Sequence, residues 1–335
     1  MKELTLMRIA IDAMGGDHAP RAQVESAIAA ASEWPDIELI LVGNPGVLEP
    51  LLGADAPSNI RIHPAMEVIE SDEEPVKAVR RKSDSSMVVA GRLVKEGQAD
   101  AMISAGNTGA LMAVGLLVVG RLKGIDRPGL APMLPTLDNA GLLALDLGAN
   151  MDAKPEHLLQ YALMGSLYRQ KVHGIAKPRV GLLNVGSEAA KGNELTKAAY
   201  ELLVQAPINF IGNVESRDVL EGQCDVLVCD GFSGNILLKG IEGTASALFK
   251  ILKRELTATW TSKLAALALK PSFSRVKRSL DYNEYNGAPL LGLNGLVLKG
   301  HGSSDAAAMK TAIRLARTAI GNGLVTALAD EFKGK

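Results

Sequence analysis

Apolar residues along this chain fall into short dense runs, and stretches of helical periodicity separate those runs nearly from end to end. The runs at residues 8–12, 37–42, 60–62, 142–147 and 208–211 read as buried strands. Between them, residues 20–32, 47–52 and 193–205 read as helices, the last with Leu195, Ala199 and Leu202 on one face. Residues 73–95 are polar and then helical, and residues 212–222 form a polar loop and a short helix. Pro128, Pro132 and Pro135 mark a connection. Asp152 is a candidate N-cap, with Pro155 and Glu156 in the first turn of the helix it would start. Strands alternating with helices predict an α/β fold on a mainly parallel, doubly wound sheet.

The ends of the strands share a grammar. Residues 101–113 (Ala-Met-Ile-Ser-Ala-Gly-Asn-Thr-Gly-Ala-Leu-Met-Ala) read as the end of a strand, a turn of small and hydroxyl residues, and the start of an apolar helix. Gly106 and Gly109 let a ligand approach the main chain, the helix start offers free N–H groups, and Ser104, Asn107 and Thr108 add donors. Those are the requirements for holding a phosphate, although an ordinary βα turn uses the same residues. Comparable turns close the apolar runs at residues 9–19, 180–188, 226–235 and 296–305. In an open parallel sheet ligands bind beyond the carboxyl ends of the strands, so several such turns on one rim would make a composite site.

Residues 244–282 break this alternation. Leu248, Leu252, Leu256, Trp260, Leu264 and Leu267 recur at helical spacing up to Pro271, and Phe273, Val276 and Leu280 continue beyond it. The polar positions carry Lys250, Lys253, Arg254, Lys263, Lys270, Arg275, Lys277 and Arg278 against a lone Glu255. This predicts a protruding basic amphipathic helical arm, broken at Pro271, that suits an anionic membrane surface, an acidic partner or a dimer contact. A second basic cluster, Lys77, Arg80, Arg81 and Lys82, precedes Ser83, Ser85 and Ser86; it suits an anion or a solvated helix face.

Composition narrows the classes. At 335 residues the chain has room for one large α/β domain or two lobes. A net charge of −1 argues against a whole-molecule nucleic-acid binder. Cys224 and Cys229 sit in or beside one strand on opposite faces, so they cannot pair there, and free buried thiols suit a reducing compartment. No signal-peptide pattern opens the chain, the run at 110–120 is too short for a membrane span, and translation could begin at Met1 or Met7. No GxGxxG or Walker sequence supports a dinucleotide or nucleotide cofactor.

Several long segments, in order, resemble the PlsX family of bacterial acyl-acyl carrier protein:phosphate acyltransferases. They are Ile-Asp-Ala-Met-Gly-Gly-Asp at 11–17, Ser-Ala-Gly-Asn-Thr-Gly-Ala at 104–110, Leu-Asp-Leu-Gly-Ala-Asn at 145–150 and Asn-Val-Gly-Ser-Glu at 184–188. The longest is 212–239, ending Cys-Asp-Gly-Phe-Ser-Gly-Asn-Ile-Leu-Leu-Lys, and 285–292 and His-Gly-Ser-Ser-Asp at 301–305 follow. The resemblance spans residues 7–329; Asn286, Gly129 and the short amino-terminal extension depart from the usual pattern. It implies one acyltransferase unit over residues 1–335, with a fold of the isocitrate/isopropylmalate dehydrogenase type shared with phosphotransacylases. It also implies transfer of a long-chain acyl group from acyl carrier protein to inorganic phosphate, giving acyl phosphate for phospholipid synthesis. The expected setting is a homodimer without metal or cofactor, cytoplasmic and peripheral to the inner face of the cell membrane. Alternatives are a short-chain phosphotransacylase using acyl-coenzyme A, a dehydrogenase of the related fold, and a non-catalytic membrane scaffold for acyl carrier protein.

On that reading Ser104, Gly106, Asn107, Thr108 and Gly109 cradle phosphate, with Gly186, Ser187 and Glu188 across the rim. Lys191 is either a balancing cation or an exposed lysine at a helix start. Asp230, Ser233 and Asn235 are candidates to position the thioester, and His18 or His301 to donate a proton. Asp12 and Asp17 order the first turn rather than react. Trp260, Leu264, Leu267, Lys263, Lys270, Arg275, Lys277 and Arg278 form the expected membrane or partner surface, and the helix at 111–119 either lines an acyl groove or packs in the core.

Overall fold

The computed structural model describes residues 6–279 and 287–334. From the amino end run β1 (Met7–Asp12), α1 (Arg21–Glu33), β2 (Ile37–Gly43), α2 (Pro45–Leu52), β3 (Ile60–Pro64), α3 (Pro75–Arg81), α4 (Ser86–Lys95), β4 (Ala101–Ser104) and α5 (Thr108–Val114). A π-helical turn, Gly115–Val119, extends α5 and is followed by β5 (Gly129–Leu130) and β6 (Met133–Leu134). Next come β7 (Leu142–Leu145), α6 (Pro155–His173), β8 (Arg179–Asn184), α7 (Glu194–Gln205), β9 (Asn209–Glu215), a 3₁₀ turn at Ser216–Glu221, and β10 (Val226–Val228). Then come α8 (Gly231–Leu256), α9 (Trp260–Ser279), β11 (Ala288–Leu291), β12 (Leu296–Lys299), α10 (Ala306–Gly321) and α11 (Leu324–Glu331). The stretch expected to act as one α/β unit packs as two compact units. One comprises Met1–Pro132, Leu163–Lys177 and Asn283–Lys335, the other Met133–Ala162 and Pro178–Tyr282.

The first unit holds a seven-stranded sheet in the order β3-β2-β1-β4-β12-β11-β5, parallel from β3 to β12 and antiparallel at β11 and β5. Period two along its strands sorts the core. Ala10, Ile40, Val42, Met102 and Val297 pack with Val88, Val89 and Leu93 of α4 and Leu111 and Val114 of α5. Ile9, Ile11, Leu39, Leu41 and Ile103 are equally buried and project from the opposite face, where α1 packs on α10. Arg8 ties the amino ends of the central strands, donating from its backbone N and from Nη2 to Asp100 at 2.8 Å each.

The second unit repeats the plan with a five-stranded sheet, β6-β7-β10-β8-β9, antiparallel only at β6. Here Arg179 plays the part of Arg8: its backbone N donates to Asp225 at 2.7 Å and its Nη2 at 3.1 Å. The chain therefore builds two mainly parallel sheets, each with its own core.

Three local expectations are corrected. The helix expected to be capped by Asp152 begins at Pro155, so Lys154 stands just before it. Its backbone N–H is satisfied by Nδ1 of His157 at 3.0 Å, a reciprocal cap from the third helical residue. The helical arm does not break at Pro271, which lies inside α9. The break falls at residues 257–259, where Thr257 Oγ1 donates to the Lys253 carbonyl at 2.7 Å and Thr259 Oγ1 accepts from Ser262 N at 3.1 Å. Two threonines finish one helix and start the next, while the bond that Pro271 forfeits faces solvent on an exposed helix. The loop expected to start at residue 212 is instead strand as far as Glu215. Leu280 and residues 281–286, part of the expected arm and of a matching segment, lie outside the described residues. Among the described residues no helix is long and apolar enough to cross a membrane.

Packing separates two glycines sharply. A Cβ on Gly91 of α4 would stand 2.4 Å from Cγ1 of Val114, whereas one on Gly243 of α8 meets nothing within 4 Å. Gly91→Ala is expected to destabilise the protein by about 1–3 kcal/mol through overpacking. Gly243→Ala should stabilise it by up to about 1 kcal/mol through helix propensity. Urea unfolding midpoints of the two variants check both signs.

Candidate active site

Asp12, Ser104 and Lys299 each follow a core residue, Ala10, Met102 and Val297, by two positions on three adjacent strands. The pleat therefore turns all three to the face covered by α4 and α5, at the carboxyl ends of β1, β4 and β12. Asp12 is withdrawn from water, with 1 % of its surface exposed. Its two carboxylate oxygens accept from Ser86 Oγ and Ser104 Oγ at 2.6 Å each. Burial pushes its carboxyl above the usual range, and the two hydroxyl donors pull the other way.

The turns that follow these strands pack on one another. Asp17 N donates to the Gly302 carbonyl at 2.8 Å, and Gly300 N to the Ser104 carbonyl at 2.8 Å. A Cβ on Gly15 would stand 2.5 Å from Oδ2 of Asp12 and 3.0 Å from the backbone N of Gly106. Only glycine allows that approach. Lys299 pairs in register with Ser104. Its Nζ reaches the carbonyl oxygens of Gly300 and Ala105, the latter at 3.4 Å. Burial lowers its pKa to about 8, opposed by the charges of Asp12 and Asp17.

The structure places the expected cradle residues in this cluster and gives their side chains local work. Ser104 Oγ, besides donating to Asp12, accepts from Gly106 N at 3.1 Å. Asn107 caps α5, accepting from Ala110 N at 3.0 Å. Its Nδ2 donates to the carbonyls of Ser71 and Glu73 at 3.2 Å each. Gly109 leaves room for Pro75, whose Cγ would stand 2.5 Å from a Cβ there. What remains for a ligand is mainly main chain, with Thr108 exposed. His18 is exposed; His301 is exposed as well, its Nδ1 2.8 Å from Ser303 Oγ.

The remaining turns belong to the second unit. Asp230 caps α8, accepting from Phe232 N at 3.0 Å and Ser233 N at 2.9 Å. The helix start packs on the turn after β7: Gly231 N donates to the Asn150 carbonyl at 2.9 Å, and a Cβ on Gly148 would lie 3.5 Å from Oδ1 of Asn235. Asp146, fully buried, holds that turn by accepting from the backbone N of Ala149 at 3.0 Å and of Asn150 at 2.5 Å. Cys229 Sγ donates to the Asp146 carbonyl at 3.2 Å. In the turn after β8, Gly186 is buried under the side chains of Glu188 and Lys191, while Ser187, Glu188 and Lys191 are exposed. Asn184 Nδ2 fixes the turn by donating to the Lys191 carbonyl at 3.1 Å.

A cavity of about 1100 Å³ opens in this unit between that turn and α8. Leu183, Leu220, Ile236 and Leu237 line it, with Asn184, Arg217 and Ser233 at its polar edge. Of the two readings of the helix at 111–119, core packing holds for Leu111, Val114 and Val119, while Leu116 and Leu117 are exposed. On the arm, Leu252 and Leu256 of α8 face Ala266 and Phe273 of α9 across an apolar seam. Trp260, Leu264 and Leu267 are exposed, as are Lys263, Lys270 and Arg275. The side chains of Lys277 and Arg278 lie outside the described residues. Among the described residues no group of three or more His, Cys, Asp or Glu is placed to hold a metal ion.

Comparison with known proteins gives the family and the fold. A family model described as a fatty acid synthesis protein matches residues 7–327. A phosphate acyltransferase from Halalkalibacterium halodurans is 58% identical over 325 residues, covering 97% of this chain and 96% of that protein. The chain belongs to the phosphate acyltransferase family. It is an enzyme, an acyltransferase of fatty acid and phospholipid synthesis. A second phosphate acyltransferase, from Geobacillus thermodenitrificans, is 58% identical and covers 98% of this chain and 99% of its own length. A solved phosphotransacetylase from Streptococcus pyogenes shares the fold at a TM-score of 0.59 and 17% identity, covering 95% of this chain and 96% of that one. The expected α/β, phosphotransacylase-related fold is thus borne out.

In this phosphate acyltransferase family member the roles of Ser86, Lys299 and Asp146, and the second-unit cavity, escaped the sequence reading, which met those residues only beside a basic cluster or within longer segments. Lys299 carried a signal, a lysine ending the otherwise apolar run Leu296–Val297–Leu298. The pairing of Ser86 with Asp12 carried none, because their meeting depends on how α4 crosses β1. Asn107→Ala removes a cap and the ties to residues 71 and 73 together. It should cost about 1–2 kcal/mol and speed protease cleavage near residues 70–74, both measured by urea unfolding and limited proteolysis against Thr108→Ala as control.

Proposed function

We propose that the enzyme transfers a long-chain fatty acyl group from acyl-acyl carrier protein to inorganic phosphate, releasing acyl phosphate for phospholipid synthesis. The observation that carries this reading is the convergence of three glycine-rich turns on the buried Asp12–Ser104 pair, in a chain 58% identical to phosphate acyltransferases. An oxygen of bound phosphate attacks the thioester carbonyl directly, the C–S bond breaks, and the sulfur leaves as a thiol after taking a proton. No enzyme nucleophile is required, because holding phosphate in attack geometry supplies much of the rate.

In the first unit, main-chain groups of the Ser104–Gly109 turn are assigned to phosphate. The side chains of Ser104 and Asn107 position that turn, and His301, steadied by Ser303, is preferred to His18 as proton donor. In the second unit, Asp230 orients the start of α8, accepting from Phe232 N and Ser233 N. The neighbouring cavity, lined by Leu183, Leu220, Ile236 and Leu237, supports a long acyl chain over a short one. Removing each methylene from water is worth about 0.8 kcal/mol. The exposed Trp260, Leu264 and Leu267 among the basic residues of α9 support peripheral attachment to an anionic membrane; assembly as a homodimer rests on the family resemblance.

Thiol release from palmitoyl-acyl carrier protein, with product trapped as the hydroxamate, is expected to depend on phosphate. Turnover of acetyl-coenzyme A but not of this donor would move the enzyme to the short-chain class, and silence with both would leave a scaffold. Replacing Trp260 and Leu264 with Glu should release the protein from anionic vesicles while leaving turnover in solution intact, as a flotation assay reads directly.

A further inference from the structure

We propose that Lys299 is the cation that holds inorganic phosphate in the first unit. The inference rests on the phosphate acyltransferase reading and supplies it with a cation in the first unit. Lys299 stands at the carboxyl end of β12 beside Ser104, on the face where the three turns meet. Its Nζ contacts only carbonyl oxygens, those of Gly300 and Ala105. Among the described residues no carboxylate lies within 4.0 Å of it.

The nearest negative charge cannot come to it. Asp12 is clamped by Ser86 and Ser104 at 2.6 Å on separate oxygens. Turning its carboxylate toward Lys299 would break both bonds and leave two buried hydroxyls unsatisfied. A part-buried cation with dipoles but no ion at contact distance is costly, and a bound anion reduces that cost. Ammonium presents three donors, two of which the carbonyls orient. Lys191, the cation suggested by sequence, is exposed and lies in the other unit.

The charges acting on Lys299 are Asp12 from β1 and Asp17 from the turn after it, both favouring its charged form, against a larger opposing effect of burial. On the face it shares with Asp12, α4 contributes Ser86 and Met87, α5 contributes Ala110 and Leu111, β4 contributes Ser104 and β11 ends in Leu290 and Leu291, all uncharged. On its own loop, His301 is engaged with Ser303, and Asp305 caps α10 through Ala308 N at 2.8 Å. Lys299 therefore loses its charge as pH rises past about 8. Inorganic phosphate is already a dianion there, so its own ionisation does not contribute.

The test is binding of inorganic phosphate to the intact enzyme, without acyl donor, by calorimetry between pH 7 and pH 10. Parent affinity should fall about tenfold per pH unit above roughly pH 8. Lys299→Arg should bind without that fall, because guanidinium stays charged. Lys299→Met should bind at least about 30-fold more weakly and with no pH dependence in this range. Lys299→Met binding within threefold of the parent would overturn the inference, and so would Lys299→Arg retaining the fall near pH 8; the second criterion stands if the Met variant fails to fold. Thiol release from the acyl donor is measured in parallel on the parent. Release independent of phosphate sinks the functional reading, whereas phosphate-dependent release with an unaltered Met variant sinks only the role of Lys299.

Discussion

A carboxylate removed from water has to be answered by donors, and at Asp12 the answer comes from two separate elements. Ser86 opens α4 and Ser104 closes β4, so the two bonds at 2.6 Å fix a helix and a strand to the end of β1 at one point. Hydrogen bonds to a charged group are each worth about 1.5–3 kcal/mol. The larger consequence is geometric. Gly15 and Gly106 can press against this carboxylate only because it does not move, and the main chain they expose is positioned with it.

The two sheets divide labour between their ends in the same way. At the amino ends, Arg8 with part-exposed Asp100 and Arg179 with buried Asp225 make multiply bonded ion pairs that tie neighbouring strands. At the carboxyl ends lie buried carboxylates, Asp12 and Asp146, and turns in which glycine is required by contact. A Cβ on Gly234, for instance, would fall 2.0 Å from the Asp146 carbonyl oxygen. The chain thus keeps its inexpensive electrostatics away from the face where chemistry is expected and its tight packing beneath it.

Much of this was legible before the structure. The alternation of apolar runs and helical stretches located the sheet strands, and the small-residue turns marked which strand ends carry polar groups. What sequence could not supply was register. Asp12, Ser104 and Lys299 become neighbours because β1, β4 and β12 are adjacent, although 195 residues separate Ser104 from Lys299. Asn107 shows a second limit: a side chain well suited to a phosphate is instead tied to residues 71 and 73, which no local pattern announces. The arm shows a third, since Pro271 is the stronger helix breaker by propensity, yet paired threonine caps placed the break elsewhere.

The buried thiols carry a consequence for an enzyme that handles activated acyl groups. Cys229 donates its proton to the Asp146 carbonyl, and its acidity is suppressed by burial first and then by the carboxylates of Asp146 and Asp230. Cys224 is pushed up to about 12 in the same way, burial again leading. A free thiolate beside a thioester would capture the acyl chain by exchange and stall the protein as a dead-end adduct. Here the fold keeps both sulfurs buried and protonated, so neither thiol competes for an acyl group.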